Sequence, residues 1–158
     1  MNAKRCLFVV LVLSVQLFYL GCATTPYLSG VAPDGRKVYL GPVPIQNIEA
    51  YQAFLHSSKS ERAKLDYLLQ RIKEAQGVEF YHGGERYNWT EAYEGARWIV
   101  EHHFEKGQNS HSFIKKEALF EQEPGKPNAV KFPDGSLHLD YYILANELDL
   151  LEETLKQN

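Results

Sequence analysis

An apolar run of 15 residues, Cys6 to Leu20, sits behind Lys4 and Arg5 and is interrupted only by Ser14 and Gln16. A membrane-spanning helix needs about 20 apolar residues. The run is therefore short for a span and suits the h-region of a secretory signal, with Lys4 and Arg5 as its positive flank. It ends at Leu20-Gly21-Cys22. Residues 1–21 are then expected to take no part in the fold, and the core must come from residues further along the chain. The two cysteines, Cys6 and Cys22, lie inside this run and at its end. A processed domain thus has no pair for a disulfide and no thiolate for catalysis or for a soft metal.

Leu20-Gly21-Cys22, followed by the small polar stretch Ala23-Thr24-Thr25-Pro26, resembles the signal peptide of a bacterial lipoprotein. Tyr19 stands where that pattern usually has Leu, and Leu20 is larger than its usual small residue. The resemblance implies that the Cys22 thiol takes a diacylglycerol before cleavage and that the mature chain starts there, carrying acyl chains of the palmitate kind. Each buried acyl methylene contributes about 0.8 kcal/mol, so several chains hold a protein on a bilayer durably. The implied location is the bacterial cell envelope. Ala23 rather than Asp after the cysteine implies the outer membrane, facing the periplasm.

Losing residues 1–21 leaves 137 of the 158 residues and removes Lys4 and Arg5, so the formal charge moves from −3 to −5. An acidic chain presents no general field for nucleic acid, and no nucleic-acid partner is expected. No second apolar run is long enough to span a membrane. The lipid is then the membrane contact, and any other partner is an envelope protein or cell-wall material.

Residues 22–44 read as the lipidated cysteine and a tether, rich in Gly, Pro, Ser and Thr, and residues 45–158 as one globular domain. The tether holds a candidate hairpin around Pro33-Asp34-Gly35, where proline presets φ and glycine tolerates the positive φ of the next turn position. The same chemistry recurs at Pro133-Asp134-Gly135. Ile45 to Leu55 is a candidate for a short helix. Ser58 and Glu61 have capping-box spacing ahead of Leu65, Leu68, Leu69, Ile72 and Ala75, which recur at helical spacing. Val78 to Tyr81 and Arg86-Tyr87 flank His82-Gly83-Gly84-Glu85 as a hairpin. Asn88 and Glu91 form a second capping box, opening a helix to about Lys106. Asn109 or Ser110 caps another helix through Phe120, which Glu123 to Pro127 breaks. Asp140 is expected to cap a final helix with core positions Ile143, Leu144, Leu148, Leu151 and Leu155. The predicted fold class is α+β: a small, mostly helical domain with one or two short antiparallel hairpins.

From about Lys64 to Leu151 the order of motifs resembles the domain-of-unknown-function family of small secreted YfeK-type bacterial proteins. The matching residues are Phe80, Gly84 and Tyr87, then Glu91-Ala92 and Arg97, Phe113-Ile114, and Gly125-Lys126-Pro127. The resemblance implies a helix–hairpin–helix order and no particular activity. This chain has Gly83, Gly95 and Ile99 where the family has Asn, His and a basic residue. Those differences weigh against a shared polar chemistry.

No residue set specifies a reaction, and no cofactor is expected. His56, His82, His102, His103, His111 and His138 offer no His-x-x-x-His pair. Adjacent helical residues point about 100° apart, so His102 and His103 cannot both face one ion; no metal site is expected. There is no Gly-x-Ser-x-Gly elbow. Glu91 with Glu94, and Glu101 with Glu105, read as solvated helix faces rather than acid–base pairs. One stripe remains: Glu91, Gly95, Trp98 and His102 on one side of the Asn88 helix. Glycine inside a helix costs about 1 kcal/mol against Ala, so Gly95 asks for a reason. A notch for a ligand or partner beside Trp98 is one. The other is a second element of the chain packing there and burying Trp98, which the surfaces needed by the final helix and second hairpin favour. The expected role is a non-enzymatic binding or assembly module of the envelope. The alternative is a hydrolase of cell-wall glycan or peptide using Glu91, His102 and Tyr87.

Overall fold

The computed structural model describes residues 29–119 and 126–157. The expected signal, Cys22, the first part of the tether, Phe120 and most of the break before Lys126 lie outside the described residues. The elements run α1 (Glu49–Leu55), α2 (Glu61–Glu74), β1 (Glu79–His82), β2 (Glu85–Tyr87), α3 (Trp89–His103), α4 (Ser110–Leu119), β3 (Ala129–Lys131), β4 (Leu137–Leu139) and α5 (Asp140–Gln157). This is a small α+β domain, mostly helical, as the periodicity predicts. The two hairpins do not stay separate. β1 pairs antiparallel with β3 in the register Glu79↔Lys131, Phe80↔Val130 and Tyr81↔Ala129, giving one four-stranded sheet in the order β2-β1-β3-β4.

Local chemistry accounts for most boundaries. Asn88 caps α3 by accepting from the N–H groups of Thr90 and Glu91, and Glu91 accepts in return from Asn88 N at 2.8 Å, as a capping box requires. The box expected from Ser58 and Glu61 does not form. Ser60 is the cap of α2, accepting from Ala63 N at 3.2 Å, one turn ahead of the apolar repeat. Glu61 instead reaches across to α4, accepting from Ser110 N at 2.7 Å and Ser110 Oγ at 2.8 Å. Burial opposes its charge, but these donors and Lys64 hold its carboxyl down at about 2. Asn109 supplies the local cap of α4, accepting from Ser112 N at 3.1 Å. α3 ends at His103, short of Lys106, where Phe104 turns extended. The β1–β2 turn uses Gly83 at φ 59° and Gly84 at φ 84°, the pair of positive values a two-residue type I′ hairpin demands.

The apolar stripe of α2 is the centre of the core. Leu65, Leu68, Leu69 and Ile72 are buried there, facing Ile143, Leu148 and Leu151 of α5 and Phe113 and Ile114 of α4 across two neighbouring clusters. Among the described residues no helix is long and apolar enough to cross a membrane.

Residues 30–44, which the sequence suggests as tether, belong to the packed fold. The first Pro-Asp-Gly turn shrinks to a single bridge, Val31↔Lys37, because the chain's other partners lie on α5. Asn146 Nδ2 donates to Gly30 O at 2.8 Å and to Val38 O at 3.0 Å. Leu40 N donates to Glu147 at 2.6 Å, and Lys37 pairs with Asp149 at 2.8 Å. Gly30 sits so close to α5 that a Cβ there would stand 2.7 Å from Tyr142 Cβ. Beneath this arm, Arg71 and Glu147 form a fully buried ion pair, Nε to Oε2 2.8 Å.

Candidate functional site

The side of α3 that borders the cleft carries a run of short side chains. Ala92, Gly95 and Ala96 follow one another along it, with Ile99 and Val100 further on. α3 packs lengthwise on α2 and touches β1 and β2 at a few points, but makes no broad contact with α4 or α5. Small residues on one side and a missing neighbour on the other leave a gap. The result is an apolar cleft of about 500 Å³ between α3, the inner face of α2, the sheet, α4 and the start of α5. Sites for drug-sized ligands run from about 300 to 1,000 Å³.

Leu65, Leu68, Leu69 and Ile72 of α2 form one wall and Phe80 and Val130 of the sheet another. Phe113, Ile114 and Ala118 of α4 and Leu144 of α5 line the far side. α3 covers the space with the stripe that its sequence presents. Glu91, Gly95 and Trp98 all line the cleft. Trp98 is 53% exposed, and nothing lies within 4 Å of where a Gly95 Cβ would be. The alternative in which another element covers Trp98 is therefore corrected: the final helix packs on α4 and α2 and the second hairpin pairs with β1 instead. His102 lies outside the cleft. Its ring stacks on Trp98 at 4.6 Å and Nδ1 meets Trp98 O at 2.8 Å, so it steadies the indole.

Tyr81, His82, Tyr87 and Asn128 add polar atoms to the cleft, Asn128 Nδ2 donating to Ala118 O at 3.5 Å. His103 Nδ1 meets Glu117 Oε2 at 3.0 Å, tying α3 to α4. Glu91 is occupied by its capping bond to Asn88 N. Asp140 is different. Its position predicts a cap for α5, yet its carboxyl makes no hydrogen bond. Oδ1 is shut away from solvent without a partner, and burial alone pushes the group up to about 7. The side chain lines the cleft instead of folding back over the free N–H groups of its own helix. Sequence reasoning misses it as a site residue because an Asp at a helix start is the ordinary signature of a cap.

Of the residues of the hydrolase alternative, Tyr87 and Glu91 both line the cleft, while His102 lies outside it. Glu91 and His102 are eleven positions apart on one helix, about 16 Å of rise at 1.5 Å per residue, and no hydrogen bond joins either to Tyr87. Glu94 and Glu101 pair with Arg97. Among the described residues no three His, Cys, Asp or Glu side chains converge as a metal set. His111 meets Glu152 at 3.5 Å. His138 is buried on β4, where desolvation lowers its pKa.

No protein-family model matches this chain, and no curated protein or solved structure matches it.

Proposed function

We propose that this chain is a lipid-anchored binding protein of the bacterial envelope, with no catalytic role, whose domain takes a small apolar molecule into the cleft beneath α3. The observation that carries the reading is the open, largely apolar space of about 500 Å³ under Gly95 and Trp98. A well-packed domain of this size has few voids larger than a water molecule. A gap maintained by three successive small residues on one helix face is a space with a use. The anchor rests on the resemblance at Leu20-Gly21-Cys22. Gly30, the first of the described residues bonded to α5, is eight positions from Cys22. An extended chain covers at most about 3.6 Å per residue, so a lipid on Cys22 would keep Gly30, and with it the domain, within about 30 Å of chain from the bilayer, on the periplasmic face of the outer membrane.

Gly95→Leu in the full chain tests the cleft. The added side chain enters open space, and replacing glycine within a helix is worth up to about 1 kcal/mol. The thermal midpoint should therefore hold or rise. Binding of 2-phenylethanol, measured by calorimetric titration, should fall at least tenfold. A variant that binds 2-phenylethanol as wild type does, or a wild type that binds neither it nor phenylalkyl compounds of the same body with an amine or carboxylate in place of the hydroxyl, sinks the reading. The anchor is tested separately in bacteria: Cys22→Ser should abolish incorporation of labelled palmitate and release the protein from the membrane fraction. Unchanged fractionation and labelling would remove the lipid from the proposal.

A further inference from the structure

Besides the hydroxyls of Tyr81 and Tyr87, the amide of Asn128 and the imidazoles of His82 and His103, the cleft is lined by three carboxylates and, among the described residues, by no fixed cation. Asp140, Glu117 and Glu91 reach it from three different helices. Glu91 is committed to the α3 cap, and Glu117 to His103 and, at 3.4 Å, to Lys116. Asp140 alone has nothing to accept from. A buried acceptor left unmade costs more than a made bond returns, so the group calls for a donor that the fold itself does not supply.

That requirement discriminates between ligands. A hydrocarbon leaves Asp140 as it is. An apolar carboxylate or phosphate would bring a like charge among three carboxylates. A hydroxyl donates one neutral hydrogen bond, and a protonated amine donates a charge-assisted one, roughly twice as strong. Resting on the reading of the cleft as an apolar binding site, we infer that its ligand is a small apolar molecule carrying one amine nitrogen. The body fills the space beneath Gly95, and the ammonium meets the carboxyl of Asp140.

Three molecules with the same phenylalkyl body separate the possibilities: 2-phenylethylamine, 2-phenylethanol and 3-phenylpropanoate, titrated calorimetrically into the full chain at pH 8. The amine should bind about tenfold or more tightly than the alcohol, the typical gain for a hydrogen bond made by a charged group, and the carboxylate most weakly. In Asp140→Asn the ratio of amine to alcohol affinity should fall close to one. Equal affinities in wild type, or an amine preference that survives Asp140→Asn, overturn the inference. If the alcohol binds and Gly95→Leu weakens it while the amine shows no advantage, the amine assignment alone is wrong. If none of the three binds, the cleft reading and this inference fall together.

Discussion

Replacing Glu147 with Ala should destabilise the domain by about 3–5 kcal/mol, the cost of leaving one partner of a buried ion pair uncompensated. Both side chains of the Arg71–Glu147 pair are fully buried. Glu147 accepts from Arg71 Nε at 2.8 Å and Nη2 at 3.1 Å, from Leu40 N at 2.6 Å and from Tyr67 Oη at 3.4 Å. Burial and the nearby Glu147 charge push the Tyr67 hydroxyl upward, so it stays a donor. Glu147→Ala strands all three. Arg71 keeps only the longer contacts to Glu74 Oε2 at 3.4 Å and Pro42 O at 3.3 Å. Domains of this size have about 5–15 kcal/mol in total, so the denaturant midpoint should drop steeply. The Leu40 amide, now without its acceptor, should lose protection from hydrogen exchange. The double variant Arg71→Met with Glu147→Leu should recover the part due to the stranded guanidinium but not the part due to the Leu40 amide and Tyr67 hydroxyl, which still lack an acceptor. A loss under 1 kcal/mol with Leu40 still protected would show that the pair does not hold the arm.

Asp140→Asn should act in the opposite direction. Its carboxyl ionises at about 7 in the folded protein against 3.8 for the ordinary group. Below the unfolded value both states are protonated and Asp140 takes nothing from stability. As pH rises towards 7 the unfolded chain sheds its proton first, and each pH unit removes about 1.36 kcal/mol. Above about 7 the full penalty stands. Asn keeps the shape and cannot ionise, so the variant should be more stable than wild type by about 2–4 kcal/mol at pH 8, with the gap closing as pH is taken down to about 4. Denaturant midpoints of the two proteins across that range provide the check. Parallel curves would mean that Asp140 is solvated when charged, and the cleft would lose its unpaired acceptor.

Glu91, Gly95 and Trp98 are legible as one side of α3 because a helix repeats every 3.6 residues and the Asn88–Glu91 box sets where it starts. Glycine in mid-helix is an anomaly that only a neighbour, or the lack of one, explains. His102 belongs to the same stripe by angle, but its ring stacks on Trp98 instead of lining the cleft, which its neighbour His103 does. Asp140 is not legible as a site residue, because the residue that caps a helix and the residue that turns its carboxyl into a cavity look alike in one dimension. His138, likewise, is one histidine among six until the fold sets it against Phe132 beside Val38 and Tyr39.

Turn chemistry and period settle what is local here: five helices near the expected places, the Gly83-Gly84 hairpin, and the bend at Pro133-Asp134-Gly135. Each depends on residues a few positions apart, whose φ preferences and side-chain caps act whatever the rest of the chain does. Three things depend on the assembled fold. β1 joins β3 across some fifty residues, and nothing in either strand names the other. Residues 30–44 become part of the core because Asn146, Glu147 and Asp149 on the last helix present partners to them. The cleft is the volume left where α3 meets α2 but not α4 or α5, a property of the gaps between elements that no single segment carries.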